Sequence, residues 1–454
     1  MISDVFLANL KSHFQLDPAH ARLLIVGLGA TGYSAAQFLA ETPIKFAIID
    51  SRRNPPQIES LREQMPDVPV FTGGFDQSAF EVATHLLVSP GVSLNEQTIH
   101  KAMLAGVKIL SDIDLFACAT DKPIIAITGS NGKSTVTTML GDMGAAAGFK
   151  TAIGGNLGTP ALDLLQQDAD LYALELSSFQ LERTTALNAK AATVLNLSAD
   201  HLDRHDGMAG YAREKQRIFR GDGIMILNAD DAVVMAMQDP NRISYSFSVL
   251  QRADFHLQRG TIDQLMFGDH VLMNADELNL EGSHNIANAL ASLALGHAVG
   301  MDMTAMCQGL RKFKGLPHRM QKVAEVRGLR WVNDSKATNI GACVAALQGY
   351  ERKVILIAGG DGKGADMSEL TPIVKEKTKA VILMGKDASL IDQALNQCVP
   401  THFASNMKEA VKIAASLGSA GDSVLLSPAC ASLDQYKSYA DRGNQFAQAV
   451  LELS

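Results

Sequence analysis

The sequence predicts an α/β protein of three domains, each built around a parallel β-sheet. Short apolar runs rich in β-branched residues alternate with longer helical patterns along the whole chain of 454 residues. The runs fall into three series, and an apolar content of 47% is enough to build several cores. Each run ends in a glycine-rich or polar turn, and open parallel sheets bind ligands beside such turns. We therefore expect the functional residues to follow the strands.

The three series of runs define the predicted domains. They cover residues 22–29, 45–50, 84–91 and 107–114 in the first series, 123–130, 171–178, 191–198 and 223–230 in the second, and 329–335, 353–362, 380–387 and 422–432 in the third. Proline interrupts strand ladders and helices, so Pro123 and Pro317 place the boundaries. The predicted domains are residues 1–120, 121–316 and 317–454. The weaker alternation over residues 240–282 predicts an antiparallel strand pair or a small sheet.

Composition excludes several function classes. The net charge is −8 and no Lys/Arg cluster is present, which argues against a nucleic-acid partner. The five cysteines are widely spaced and form no C-x-x-C pair, which is typical of a reducing cytosol rather than of a disulfide framework or a zinc site. The sequence shows no signal-peptide pattern and no apolar stretch long enough to span a bilayer. We expect a cytoplasmic protein without an integral membrane segment.

The first series carries a glycine-rich turn, GLGATG, at residues 27–32. Its glycines allow a tight turn that brings backbone N–H groups close to a diphosphate at a helix N-terminus, and Asp50 ends the next strand. This signal is weak by itself. It fits a nicotinamide or flavin oxidoreductase, and it also fits glycines that serve only strand-to-helix packing.

The second series carries a phosphate-binding loop, ITGSNGKST, at residues 127–135. A predicted strand precedes it and a helical pattern follows, which is the context that a P-loop requires. Gly129 and Gly132 let successive N–H groups point inward, Lys133 can reach the β and γ phosphates, and Ser134 or Thr135 can hold magnesium. Ile127 stands where the usual P-loop has its first glycine.

Three ionisable residues downstream are candidates for the same site. Glu175 ends an apolar run, where a carboxylate needs a cation, either a ligand or a structural partner. His201, in SADHLDRH, follows another strand, and we favour a ligand role for it over a structural one. Lys215 interrupts an apolar helical stripe, so it must snorkel, pair or be chemically altered, and the residues alone favour snorkelling.

The end of the second series and the third series supply further candidates. Asn285 and Asn288 lie at helical spacing, where their amides could read a base edge or cap and pack the helix. Arg319 follows the predicted hinge and could bridge a phosphate across a cleft or lie at the surface. The turns NDSKATN (333–339), GGDGKGAD (359–366) and SPACASLDQYKSY (427–439) combine hydroxyls, lysines and acids that suit an anionic substrate.

These motifs together resemble the Mur ligase family, ATP-dependent enzymes that form amide bonds in peptidoglycan precursor synthesis. The form T-G-[ST]-N-G-K-[ST] is the family's own P-loop, so Ile127 is normal there. The resemblance spans all three domains and is most specific, through SPACASLDQYKSYADRGNQF, for the branch that adds D-glutamate. It implies a Rossmann-like N-terminal domain, a central P-loop ATPase-like parallel sheet and a Rossmann-like C-terminal domain.

The resemblance also implies residue roles. Matching UDP-substrate positions are Gly29, Thr31, Asp50, Ser89, Gly91 and Asn156. Matching ATP positions are Gly129, Asn131, Gly132, Lys133, Ser134, Thr135, Asn285, Asn288, Arg319 and Asp334. Matching D-glutamate positions are Lys336, Thr338, Lys363, Ser432 and Tyr439. The implied magnesium ligands are Ser134, Glu175, His201 and Lys215, and the implied catalytic residues are Lys133, His201 and Lys215. The chain departs from the family at two positions: Ser51 stands where the family has Thr, which is a mild change, and Tyr439 stands where it has Phe, which favours a backbone role for this residue over use of its hydroxyl.

In the implied chemistry, the carboxylate of UDP-N-acetylmuramoyl-L-alanine reacts with ATP in the presence of Mg²⁺ to give an acyl phosphate. The amine of D-glutamate then attacks this acyl phosphate. The family carbamylates the lysine that Lys215 matches, which replaces the snorkelling interpretation. We expect a monomer whose second and third domains close over the site and exclude water. Two competing functions are a Rossmann oxidoreductase, which would bind NAD and not need Lys133, and a nucleotide sensor, which would bind ATP without turnover.

Overall fold

The computed structural model describes residues 4–200, 204–280, 282–350 and 352–453. Three β-sheets follow one another along the described chain, each flanked by helices, as the alternating runs predict. The α/β fold class and the three-part arrangement are confirmed. The exact boundaries at residues 120 and 316 stay a prediction, although each sheet falls within one predicted domain.

The N-terminal sheet is fully parallel and has the strand order β3-β2-β1-β4-β5. Its strands are β1 (Leu23–Val26), β2 (Phe46–Asp50), β3 (Val70–Thr72), β4 (His85–Val88) and β5 (Lys108–Leu110). Its helices are α1 (Asp4–Phe14), α2 (Ala30–Ala40), α3 (Ile58–Gln64), α4 (Gln77–Val82), α5 (Gln97–Leu104) and α6 (Asp112–Ala119). The strand order reverses direction beside β1, so a ligand crevice opens between the turns that follow β1 and β4.

The central sheet has nine strands in the order β14-β13-β12-β11-β10-β9-β6-β8-β7. Its strands are β6 (Ile124–Thr128), β7 (Thr151–Gly155), β8 (Leu171–Glu175), β9 (Ala191–Val194), β10 (Ile224–Asn228), β11 (Ser244–Ser248), β12 (Phe255–Gln258), β13 (Gln264–Phe267) and β14 (His270–Asn274). Its helices are α7 (Lys133–Ala146), α8 (Ser178–Leu181), α9 (Gly207–Gln216), α10 (Ala232–Met235), α11 (Ser283–Ala298) and α12 (Met303–Lys312). The strands from β7 to β12 are parallel, and the predicted antiparallel strands, β13 and β14, extend the same sheet rather than forming a separate one.

The C-terminal sheet has the order β15-β16-β20-β17-β18-β19, with only the pair β15 and β16 antiparallel among these described strands. Its strands are β15 (Gln321–Val326), β16 (Leu329–Asn333), β17 (Val354–Ala358), β18 (Thr378–Leu383), β19 (Thr401–Phe403) and β20 (Ser423–Leu426). Its helices are α13 (Ile340–Gln348), α14 (Thr371–Lys377), α15 (Ala388–Leu395), α16 (Met407–Leu417) and α17 (Tyr439–Leu451).

The buried core is divided unevenly among the three domains. One continuous apolar cluster joins the N-terminal domain to the central domain, and its contacts include an edge-to-face pair of Phe116 and Tyr172 with ring centroids 4.9 Å apart. The C-terminal domain has its own clusters on the two faces of its sheet. The first two domains therefore share a core, and the third packs as a separate unit. Among the described helices, none is both long and apolar enough to cross a membrane.

Candidate active site

The phosphate-binding loop follows β6, the strand where the order of the central sheet reverses. Gly129 and Gly132 have φ angles of +147° and +84°, a region that favours glycine, and Gly132 caps the N-terminus of α7. A Cβ atom on Gly132 would lie 2.4 Å from Asn288 Oδ1, so a side chain there would push the Asn288 amide away from the loop. The loop therefore presents its N–H groups and the start of α7 to one point, as anion binding requires.

Side chains from the end of β9 hold the loop in this shape. Asn196 Oδ1 accepts the Asn131 N–H at 2.9 Å, and Asn196 Nδ2 donates to the Asn131 carbonyl at 3.2 Å. Ser130 Oγ donates to the Ser198 carbonyl at 3.0 Å and accepts the Ser198 N–H at the same distance. We did not predict Asn196 or Ser198 as site residues, although both lie in a strand-end turn of the kind that the sequence identifies.

Two lysines share one carbonyl oxygen of the loop. Lys133 Nζ and Lys215 Nζ each donate to the Gly129 carbonyl at 2.9 Å, and Lys215 Nζ also donates to Thr128 Oγ1 at 3.1 Å. Lys215 is 1% exposed, so its side chain does not reach solvent and the snorkelling interpretation from the residues alone is wrong. Burial and the charge of Lys133 lower the pKa of Lys215 well below its usual value. Burial also lowers the pKa of Lys133, against the attraction of Glu175.

Glu175 lies beside the loop because β8 pairs with β6 in register, with Glu175 opposite Ile127. The residue is 3% exposed. Its Oε1 accepts a hydrogen bond from Asn156 Nδ2 at 2.8 Å, whereas its Oε2 is buried without a hydrogen-bond partner. The negative charge of Glu175 acts to raise the pKa of both Lys133 and Lys215, against the larger effect of burial. His201 lies outside the described residues.

The C-terminal domain contributes a guanidinium to the loop. Arg319 Nη2 donates to Ser134 Oγ at 2.9 Å across the junction of the second and third domains, so this arginine is not a free surface residue. Nearby, Asp334 is buried, and its carboxylate accepts hydrogen bonds from Ser427 Oγ at 2.9 Å and from the Met320 N–H at 3.3 Å. Burial raises the pKa of Asp334 to about 7.

The structure brings together only some of the residues predicted to bind the amino-acid substrate. Lys336 Nζ lies 3.8 Å from the centroid of the Tyr439 ring, and burial followed by the charge of Arg319 lowers the pKa of this lysine. Ser432 is buried and Thr338 is half-buried. Lys363 is exposed in the turn after β17, with a left-handed φ of +52°. The turn therefore leaves the Lys363 side chain in solvent.

A buried arginine that we did not predict joins the three turns of this region. Arg442, which is 2% exposed, donates to Ser335 Oγ at 3.0 Å and to the carbonyls of Ser335, Gly359 and Cys430 at 2.8–3.4 Å. Each acceptor belongs to a different strand-end turn. Arg442 lies within the family motif SPACASLDQYKSYADRGNQF, but the sequence does not show that it is buried, because most of its acceptors are backbone carbonyls of residues far away in the sequence.

The predicted base-reading amides lie at the N-terminus of α11. Asn285 and Asn288 are 6% and 7% exposed, and Asn288 Nδ2 donates to Asn285 Oδ1 at 3.4 Å. Asn288 Oδ1 also lies against Gly132 of the phosphate-binding loop. The two amides are therefore brought to the loop, and both the base-reading and the packing interpretations remain compatible with this position.

Five of the six predicted UDP-substrate residues lie around the crevice of the N-terminal sheet, whereas Asn156 lies beside Glu175 in the central domain. Gly29 caps α2, Thr31 lies in its first turn, and Gly91 is exposed in the turn after β4. Ser89 Oγ donates to the Gly27 carbonyl at 3.0 Å. The Asp50 carboxylate accepts hydrogen bonds from the backbone N–H groups of Leu28 and Arg52. It also forms an ion pair with the Arg52 guanidinium at 2.6 Å.

These contacts of the Asp50 carboxylate bear equally on a ribose hydroxyl of NAD and on the UDP role predicted for this residue. In a dinucleotide-binding domain, an acid at this position hydrogen-bonds the ribose 2′-hydroxyl. Here the carboxylate supports the glycine turn and fixes Arg52, so it has a structural function in its own domain.

Three family models match the chain in succession. The model described as Mur ligase MurD-like, N-terminal domain, matches residues 21–111, Mur ligase middle domain matches 127–296, and Mur ligase, glutamate ligase domain, matches 318–430. A UDP-N-acetylmuramoylalanine--D-glutamate ligase from Methylococcus capsulatus is 52% identical over 437 residues, which cover 96% of this chain and 95% of that protein. A protein of the same name from Pseudomonas aeruginosa is 49% identical over 440 residues, covering 95% and 98%.

Solved structures share the fold over nearly the whole length. A pseudomurein peptide ligase type C from Methanothermus fervidus has a TM-score of 0.63 at 17% identity and covers 95% of this chain and 99% of that one. A UDP-N-acetylmuramate-alanine ligase from Thermotoga maritima has a TM-score of 0.60 at 16% identity, covering 96% and 100%. At these identities the similarity concerns the fold alone.

Proposed function

The chain belongs to the Mur ligase family, and on that premise we propose that it joins D-glutamate to the L-alanine carboxylate of UDP-N-acetylmuramoyl-L-alanine, using ATP, in peptidoglycan precursor synthesis. Relatives that match almost the full length of the chain carry this activity in their names. The observation that carries the proposal is the buried, unpartnered Glu175 Oε2 beside a P-loop whose lysine faces the same space. In phosphoryl-transfer sites a lysine binds the phosphates and an acidic side chain helps to hold magnesium, which fits this arrangement.

The first step activates the substrate carboxylate. One carboxylate oxygen attacks the γ phosphorus of ATP, the bond from phosphorus to the β–γ bridging oxygen breaks, and an acyl phosphate and ADP form. The protein contributes in-line positioning and charge neutralisation. We assign Lys133 and Arg319 to the transferring phosphoryl group, because both cations face Ser134 and the loop from opposite domains.

Mur ligases are ATP-dependent and usually use magnesium, and the residues present fit that ion. Glu175 offers an unpartnered buried oxygen, which is costly unless a cation binds it, and Ser134 offers a hydroxyl at the start of α7. We propose these two side chains as ligands, with His201 and a modified Lys215 completing the set. A bound magnesium ion would neutralise charge on the phosphates.

We propose that Lys215 carries a carbamate. Lys133 and Lys215 donate to the same oxygen, so their nitrogens lie within about 6 Å of each other, and two buried ammonium groups at that distance repel. The neutral amine of Lys215 is therefore favoured, and only a neutral amine adds to carbon dioxide. A C–N bond forms, one C=O bond becomes a C–O⁻ group, and the nitrogen loses a proton to solvent. The product is an anion that can bind a cation where an ammonium group cannot.

The second step forms the amide bond. The amine nitrogen of D-glutamate attacks the acyl carbon, a tetrahedral oxyanion forms, and phosphate leaves as the carbonyl returns. We assign D-glutamate to Lys336, Thr338, Lys363, Ser432 and Tyr439. The cation Lys336 suits a carboxylate, whereas Lys363 would have to move from solvent to take part. His201 is our candidate for positioning the amine or accepting its proton.

Closure of the third domain onto the second would complete the site and exclude water, which would otherwise hydrolyse the acyl phosphate. The hydrogen bonds from Arg319 to Ser134 and from Asn339 to Asp200 support this proposal, since they already join the two domains at the site. We also propose that the protein acts as a monomer in the cytoplasm. Five unpaired cysteines, four of them buried, support the location, and size-exclusion chromatography with light scattering tests the oligomeric state.

Phosphate release by the purified chain tests the function. The reaction contains ATP, magnesium and UDP-N-acetylmuramoyl-L-alanine, with D-glutamate, L-glutamate, glycine, L-lysine or no amino acid. We expect release only with D-glutamate, together with an amide product of the matching mass. Release with another amino acid would keep the ligase chemistry and change the substrate. No release with any of them would favour the nucleotide sensor.

A further inference from the structure

A short segment of the central domain, residues 183–186, inserts into the N-terminal domain. We propose that Arg183, the first residue of this segment, is a positioning residue that fixes the UDP-binding turn after β4, residues 88–92, relative to the site of phosphoryl transfer. The inference rests on the proposed function, because it concerns how the two ends of one long substrate are held.

Arg183 uses its guanidinium as a clamp on backbone carbonyls. Its Nη1 donates to the carbonyls of Val88 at 3.2 Å, Ser89 at 2.7 Å and Val92 at 3.2 Å. Its Nε donates to the Phe179 carbonyl at 2.7 Å. The side chain is completely buried, and burial lowers its pKa. A planar guanidinium holds its acceptors on two sides in a fixed geometry, and a lysine lacks this rigid fork.

On the N-terminal side, the clamped turn is connected to the glycine turn. Ser89 gives its carbonyl to Arg183 and donates through Oγ to the Gly27 carbonyl, so one residue joins both walls of the crevice. Gly27 has a φ of +100°, and a Cβ atom there would lie 3.1 Å from Ser89 Oγ. The two turns predicted to hold UDP are thus in direct contact, and this contact restricts their movement relative to each other.

In the central domain, the residues that Arg183 contacts lie close in sequence to Glu175, the predicted magnesium ligand. Phe179 lies in α8, which begins at Ser178, three residues after Glu175, whose Oε2 has no hydrogen-bond partner. Ser177 caps this helix through a hydrogen bond from the Gln180 N–H to Ser177 Oγ. A rigid helical turn therefore separates the Arg183 clamp from the predicted metal ligand.

The rest of the segment strengthens the same junction. Thr184 Oγ1 and Ser111 Oγ are hydrogen-bonded at 3.0 Å, and Asp114 Oδ1 accepts the N–H groups of Thr185 and Ala186 at 2.7 Å each. With the shared apolar core, these contacts make the first two domains one body. Arg183 differs from the other contacts because it alone among them touches the UDP-binding turn.

The physical need for such a clamp follows from the length of the substrate. UDP binds one domain, whereas the carboxylate at the other end must meet the γ phosphorus in line in the next domain. Binding energy from a remote group accelerates a reaction only when the enzyme converts it into placement of the reacting atoms. A misplacement of about 1 Å can cost roughly 100-fold in rate.

The test compares a full and a truncated substrate in Arg183→Met, Arg183→Lys and wild type. The truncated probe is N-acetylmuramoyl-L-alanine 1-phosphate, which lacks the uridine monophosphate part. For Arg183→Met we expect kcat/KM to fall by about 30-fold with the UDP substrate and by less than about 3-fold with the probe. KM for ATP should stay within about twofold, and the loss in Arg183→Lys should be intermediate between those of wild type and Arg183→Met.

The matched control is Arg220→Met. Arg220 donates to the Thr184 carbonyl at 2.8 Å, next to Arg183 in the same segment, but does not bond to the turn of residues 88–92. We expect this control to act equally on both substrates. Equal losses with both substrates in the Arg183 variants, or no loss with either, would overturn the inference. Wild type is measured first: if it does not use the UDP substrate, the proposed function fails, and the inference about Arg183 is not what has failed. If Arg183→Met does not fold, Arg183→Lys still provides the comparison of the two substrates.

Discussion

Asn196 offers a sharp test of how the phosphate-binding loop is held. Its amide forms a reciprocal pair with the Asn131 backbone, with one hydrogen bond at 2.9 Å and one at 3.2 Å. Asn196→Ala removes both bonds without adding volume. A net hydrogen bond contributes about 1 kcal/mol, so the loop loses roughly 2 kcal/mol of support for its binding shape.

The expected effect is a weaker ATP interaction. If the loop then samples other shapes, the apparent affinity falls by the fraction of time spent in the competent one. A change of 2 kcal/mol corresponds to about 30-fold, so we expect KM for ATP to rise by roughly 10- to 30-fold. KM for the UDP substrate should change by less than about twofold, because the UDP end that anchors it binds another domain.

The assay is phosphate release at varied ATP, with Asn188→Ala as the matched control. Asn188 forms a similar reciprocal pair with Asp222 in the same domain, at 3.0 Å and 3.3 Å, but on the exposed surface away from the loop. The control should leave all KM values near wild type. An unchanged KM for ATP in Asn196→Ala, with normal thermal stability in both variants, would refute the reasoning.

Four further predictions concern ionisable groups. Lys133→Ala should abolish phosphate release while isothermal titration still shows UDP-substrate binding, and retained release would remove this lysine from the mechanism. Glu175→Gln should raise the magnesium concentration needed for half-maximal rate by at least about tenfold without lowering the melting temperature, because it neutralises a buried, unpartnered oxygen; an unchanged magnesium requirement would contradict its ligand role. Lys215→Ala should lose activity and regain part of it with added acetate, and a lack of rescue would argue against the carbamate. Burial raises the pKa of Asp112 from 3.8 to about 6, so the folded chain binds this proton more tightly than the unfolded chain and loses stability as the pH rises through that interval. Asp112→Asn should therefore be more stable than wild type near pH 7.5, by up to about 3 kcal/mol, with a smaller difference near pH 4.5; a gain that does not grow with pH, measured by thermal unfolding, would count against this account.

Much of the fold could be predicted because its signals are local. The long apolar runs became strands such as β1, β6 and β17, and the glycine-rich turns lie where the predicted strands end. The short strands β3 and β19, with three residues each, escaped prediction because their partly exposed residues show no sustained apolar pattern. They form as edge strands only because a neighbouring strand supplies hydrogen-bond partners.

By itself, the sequence determined the phosphate-binding loop, the acid at the end of β8 and the lysine on an apolar helical stripe, since residue type and spacing define each of them. Only the tertiary structure decided that Lys215 is buried against the loop rather than snorkelling, and that Arg183 and Arg442 hold turns together from within. Most acceptors of these arginines are backbone carbonyls, which every residue has, so the side-chain pattern says little about which groups they hold. Their positions depend on which strand ends the fold brings together.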